Sequence, residues 1–139
     1  GSDMKRFANA DHLASWAGLA PGKNERAGRT HSARTSKANK YLKTALVEAV
    51  GSLERSRDTF LAARFRRLKA RRGRNRAAVA VARSILVIVY HILRDNTVYV
   101  DLGASYYDQH NKEQVQKRLV RRLETLGFKV SLEPSYPAA

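Results

Sequence analysis

AAVAVARSILVIVYHIL, residues 77–93, is the stretch on which the fold turns. It sits within a segment running from 75 to about 94 that is apolar nearly all round, the pattern of a helix enclosed by other helices. It is therefore expected to be the spine of the core. Arg83 is its one interior charge, and it must either reach solvent along its own stem or meet a carboxylate. His91 has no second histidine at i+3 or i+4 and reads as a helix-edge residue, not a metal ligand.

Working toward the N-terminus, Gly73 marks a break, and before it a helix is expected from Arg57 or Asp58 to Arg72 with Leu61, Phe65 and Leu68 as its apolar seam. Its other faces are basic: between Arg55 and Arg76 there are ten Lys or Arg and one acid, Asp58, a local balance of +9. Surfaces normally intersperse the two signs, so this stretch reads as one that follows phosphates, with Arg64, Arg67, Arg71, Arg72, Arg74 and Arg76 as contacts. Another helix is expected from Ser36, as N-cap, to about Arg55, with Leu42, Ala45, Leu46, Ala49 and Leu53 inside.

Between 21 and 35 neither helical nor strand period is evident, and Gly22, Asn24, Gly28 and Ser32 are turn residues. This basic loop opens at Pro21-Gly22 and carries Lys23, Arg26, Arg29 and Arg34 before Lys37, Asn39 and Lys40. It runs into a helix N-terminus, where backbone N–H groups favour phosphate oxygens. Residues 7–19 form a further short helix, starting near Asn9 or Asp11, with Leu13, Trp16 and Ala17 on one face and Trp16 as a core anchor. Gly1-Ser2-Asp3-Met4 reads as an expression-tag remnant, leaving 5–133 as the domain and 134–139 as a loose tail.

Toward the C-terminus, Asp95-Asn96 ends the central helix. Residues 97–111 make a tyrosine-rich connector in which 98–102 could be extended, with Tyr99, Tyr106 and Tyr107 packing on the bundle. Residues 112–126 form a last amphipathic helix with Val115, Leu119, Leu123 and Leu126 inside, stopped by Gly127. Residues 128–132 alternate like a short strand. The expected fold is thus mainly α: a small bundle of about five helices with a basic loop and a short C-terminal extended segment.

The 139 residues include 27 Lys or Arg against 12 Asp or Glu, a formal charge of +15. Such a surface points to nucleic acid. With no cysteine, disulfides, thiolate metal sites and a cysteine nucleophile are excluded. The longest uncharged apolar run, 84–93, is too short to cross a bilayer. Asp95, Asp101 and Asp108 are the only loose acidic cluster, better explained as caps than as a metal site. The four histidines have no zinc spacing, and phosphate-loop fingerprints are missing.

The order of several signals resembles a known family. The run FANADHLASWAG (7–18), then Leu19-Ala20-Pro21, the basic loop, Lys37-Ala38-Asn39 with Leu42, Arg72-Gly73 and AAVAVAR (77–83) are similar to the C-terminal domain of insertion-sequence 110/116/902-type transposases. The likeness extends over about 5–101, and 106–130 resembles longer members. It implies a mobile-element recombinase in two parts. An N-terminal RuvC-like domain would hold a divalent metal such as Mg on a carboxylate tetrad, and this domain would supply a serine that attacks DNA, with a guide RNA selecting the sites. The implied partners are DNA, guide RNA, the RuvC-like domain and a second copy, with no membrane, in a bacterial cytoplasm at the nucleoid.

On that resemblance the nucleophile position falls at Arg26, in Arg26-Ala27-Gly28-Arg29, where the family has serine. A guanidinium cannot attack phosphorus, because it has no deprotonated form near neutral pH. The expectation is a nucleic-acid-binding transposase domain, without a catalytic residue or metal ligand of its own and inactive alone. Its rivals are an active recombinase using Ser32 or Ser36, or a basic scaffold or oligomerisation module.

Overall fold

The computed structural model describes residues 2–22, 24–26, 29–32, 35 and 38–135, with side chains left aside at 24–26 and 29–32. The chain divides into two compact units, Gly1–Ala104 and Ser105–Ala139. The first unit holds a 3-10 turn (Met4–Arg6), α1 (Ala10–Trp16), β1 (Asn24–Arg26), β2 (Arg29–Ser32), α2 (Lys40–Leu53), α3 (Phe60–Arg72) and α4 (Arg74–Asp95); the second holds α5 (Tyr106–His110) and α6 (Lys112–Thr125). The chain is mainly helical, as its periodicity implies.

The central position of α4 is borne out. It buries Ala77, Ala78, Val81, Ala82, Leu86 and Tyr90, and α1, α2 and α3 all pack on it. Buried partners include Leu13, Ala17 and Leu19 around α1, Val50 of α2 and Phe65 of α3. Three alanines among the buried positions of α4 explain how three helices converge on it, since small side chains allow close approach. By length and composition the whole 22-residue helix could cross a membrane, although 84–93 alone could not. Three features make it a core helix instead: arginines at 74 and 76, the ion pair of Arg83 with Asp11, and its buried contacts. Arg83 meets both expectations at once, since its side chain reaches the surface and pairs there with Asp11.

Gly73 separates α3 from α4 at φ +80°, a conformation that favours glycine, and its N–H bonds the Lys69 carbonyl at 3.0 Å. The start of α3 is fixed from afar. Thr59 Oγ1 accepts from the Ala62 N–H at 3.2 Å, and Asp101 Oδ1 accepts from the Phe60 N–H at 3.0 Å and the Gly103 N–H at 2.7 Å. Tyr99 donates to the other Asp101 oxygen at 2.9 Å. Asp101 therefore caps a helix, as expected of that acidic cluster, and 98–102 forms no strand.

Several local expectations are corrected. The N-cap of α2 is Asn39, whose Oδ1 accepts from Leu42 N–H at 3.1 Å, so the helix starts three residues later than a cap at Ser36 would place it. Asn39 wins because its own N–H bonds the Trp16 carbonyl at 3.4 Å, tying α2 to the end of α1. The inner face of α2 is Leu42, Leu46, Val47, Val50 and Leu53, whereas Ala45 and Ala49 are exposed. Trp16 is 51% exposed and packs its ring on Phe7 at 5.8 Å instead of anchoring the core. Asp3 accepts from the Lys5 N–H at 3.0 Å, and Met4 packs against the core.

Within the basic loop, β1 and β2 form an antiparallel hairpin that no period announced, because strands of three and four residues are too short to show one. In the second unit α5 is an unanticipated single turn, and α6 has the expected limits. None of its side chains is buried: Leu119, Leu123 and Leu126 are 52%, 43% and 68% exposed. Residues 128–132 form no strand, with Phe128 and Leu132 exposed.

Candidate nucleic-acid interface

The expected contacts fall into two sets. Of the loop set, Lys23, Arg34, Lys37 and Ser36 lie outside the described residues. Arg26 and Arg29 are cross-strand partners in the hairpin, and Ser32 pairs with Asn24 at its other end. The position that the resemblance assigns to a nucleophile is therefore in β1, directly opposite a second arginine. Asn39 is occupied as the α2 cap, and Lys40, the first residue of α2, is exposed with its Nζ 5.7 Å from the Tyr41 ring centroid.

The second set is built by α3 and the first turn of α4. Arg64, Arg67 and Arg71 stand at i, i+3 and i+7 and share one stripe of α3, away from the buried Ala62 and Phe65. Arg71, Arg72 and Arg76 are exposed and have no partner among the described residues. Lysine and arginine in the last turn of α3 suit the negative end of its dipole. Arg74 and Arg76 sit at the opposite, positive end of α4, which has no acid in its first turn and no side-chain cap. Positive potential is thus concentrated at the α3–α4 junction.

Two cations are paired within the chain. Glu54, the residue after α2, accepts from Lys69 Nζ at 3.0 Å, from Arg74 Nε at 3.0 Å and, through its other oxygen, from Arg74 Nη2 at 3.3 Å. The Arg74 and Lys69 hydrogen bonds hold the Glu54 carboxyl down at about 2, far below the usual carboxylate range. Arg66 is also engaged, donating to the carbonyls of Ser56 at 2.9 Å and Arg57 at 3.0 Å and so closing the α2–α3 turn. Reading charge from Arg55 onward missed Glu54, which stands one residue earlier in the chain and is 15 and 20 residues from its partners.

A groove of about 350 Å³ between α2 and α4 is lined by Lys40, Lys43, Thr44, Glu48, Arg74 and Asn75. Lys43 in it donates to Thr35 Oγ1 at 2.6 Å. Among the described residues no three His, Asp or Glu converge to hold a metal ion. Asp95 is instead close to His91 Nδ1 at 3.3 Å and Arg94 Nε at 3.8 Å on its own helix. The exposed cations of this arrangement can meet phosphate oxygens.

No curated protein and no solved structure matches the chain. The family model described as Transposase IS116/IS110/IS902 family matches residues 2–65, which take in α1, the hairpin, α2 and the start of α3. Over residues 2–65, just under half of its length, the chain is thus similar to transposases of the IS110 type.

Proposed function

We infer that this domain binds the nucleic-acid backbone in DNA transposition and is inert toward DNA by itself. The observation that carries this reading is the exposed, unpartnered arginine edge of Arg71, Arg72 and Arg76, continuous with the Arg64–Arg67–Arg71 stripe. Phosphate contacts of this kind position a duplex or an RNA without reading its sequence. The loop cations Lys23, Arg26, Arg29, Arg34, Lys37 and Lys40 supply a second stretch of backbone contact. DNA and a guide RNA are the partners, alongside a RuvC-like domain that would hold the divalent metal, in the bacterial cytoplasm.

Inertness rests on Arg26, which has no nucleophilic form near neutral pH. The test has two arms. Binding of a labelled duplex is measured as salt rises from about 50 to about 200 mM; about four phosphate contacts give a loss of roughly a hundredfold. A flat salt response would overturn the electrostatic reading. In the second arm the chain is incubated with duplex and run under denaturing conditions; a covalent adduct abolished by Ser32→Ala or Ser36→Ala would establish an active serine.

A second reading, self-association, has its own observation in the exposed Leu119, Leu123, Leu126 and Phe128 of the second unit. Light scattering that shows a dimer, without duplex binding at physiological salt, would favour it.

A further inference from the structure

The Glu54 clasp has the geometry of a phosphate contact. Two carboxylate oxygens meet the Nε and Nη2 edge of Arg74 in a fork, and a lysine ammonium meets one of the same oxygens. A phosphate presents its oxygens to arginine in the same two-pronged way. The seat lies at the α3–α4 junction, where the uncapped first turn of α4 adds its N–H groups and dipole to the side-chain charge.

On the reading that this surface binds nucleic acid, we propose that Glu54 acts as an internal stand-in for a backbone phosphate, occupying in the free protein an anion seat made by Lys69 and Arg74. A phosphate of bound DNA or RNA displaces it. Binding then exchanges one ion pair for another, so the clasp sets the threshold affinity of the surface and lowers its attraction for stray polyanions.

Three features favour exchange over a permanent structural link. Lys69 and Arg74 are 48% and 55% exposed, so an incoming strand reaches both. Ion pairs at this exposure are screened and contribute little to stability, so their rupture is readily offset by a phosphate. Arg71, Arg72 and Arg76 flank the seat on α3 and α4 and would hold the neighbouring phosphates while Glu54 withdraws.

The test compares duplex binding by the wild-type chain, Glu54→Gln and Asp58→Asn at physiological salt. Asp58 is exposed, lies just before α3 and has no partner among the described residues, so its loss controls for the change in net charge alone. Glu54→Gln is expected to tighten binding about tenfold, and Asp58→Asn by no more than about twofold. The Glu54→Gln gain should vanish when Lys69 and Arg74 are both replaced by Gln. It should also be the same at about pH 5 and about pH 8, because the Glu54 carboxyl, held at about 2, stays ionised throughout.

Equal affinities for Glu54→Gln and Asp58→Asn, or a gain that persists without Lys69 and Arg74, would overturn the proposal while leaving nucleic-acid binding intact. If Glu54→Gln does not fold, Lys69→Gln and Arg74→Gln decide the matter in the native background: displacement requires each to lower the salt slope by about 0.9. An unchanged slope sinks the idea. Failure of the wild-type chain to bind duplex or RNA even at about 50 mM salt removes the functional reading, and the proposal with it.

Discussion

Helices α4 and α6 are both legible from apolar periodicity, yet they end in opposite circumstances. Six residues of α4 are buried, and three helices pack on it; α6 has none buried, although its leucines recur as regularly. Period reports which residues share a face. It says nothing about whether another element is there to cover that face. The difference lies in the facing sequence: α1, α2 and α3 bring Leu13, Val50 and Phe65 to α4, whereas among the described residues of the second unit the single turn of α5 is the one other helix.

The largest test of this contrast is Phe65→Ala. Phe65 is 1% exposed and belongs to the cluster that closes on α4. Its truncation should cost about 3–5 kcal/mol, read as a lower midpoint in denaturant unfolding followed by far-UV circular dichroism. A loss below about 1 kcal/mol would mean that α3 does not seal the central helix.

Next in size is Asp101→Ala. It removes the acceptor for the Phe60 and Gly103 N–H groups and frees the start of α3, at a cost of about 1–2 kcal/mol. The Phe60 N–H, with the Gly103 N–H and Tyr99 hydroxyl, holds the Asp101 carboxyl below its ordinary value against the opposing effect of burial. Since the folded value is depressed, the stabilisation is present above the unfolded value of 3.8 and fades as pH falls through the folded one. Asp101→Asn should therefore approach wild type only once pH has fallen below the depressed folded value and be the weaker protein at neutral pH, with a flatter acid limb of unfolding.

How far these features could be read from sequence follows the same division. Gly73, the limits of α4 and α6, and the Leu61–Phe65–Leu68 seam depend on residues within one or two turns, and they were legible. The start of α2 was not, because Ser36 and Asn39 are both good N-caps and the choice is made by Trp16, 23 residues away from Asn39. Trp16 itself was misplaced: its position on the stripe is right, but the surface it meets is Phe7 near the edge of the core. In the candidate site, helical spacing aligned Arg64, Arg67 and Arg71, whereas the Glu54 clasp joins three elements and has no local signature.

A smaller effect is expected at the charge inside α4. Arg83 pairs with Asp11, whose side chain is 73% exposed, so the bond is largely a surface one despite its place on the core helix. Asp11→Asn should cost at most about 1 kcal/mol, less as salt is raised. Thermal unfolding at low and high salt checks this. A cost of about 3 kcal/mol or more would show that the pair is desolvated in solution.

The smallest effect belongs to α6, and it bears most directly on the contrast. The double change Leu119→Ala and Leu123→Ala leaves helix propensity intact, since alanine is the better helix former. Both leucines are about half exposed, so their removal should change stability by less than about 0.5 kcal/mol each. The measurement is thermal unfolding at two protein concentrations at least tenfold apart. If the double variant loses stability only at the higher concentration, a second copy covers the α6 face in solution, because a partner that binds the native state stabilises it by mass action. The two helices would then differ in where their cover comes from: the same chain for α4, another chain for α6.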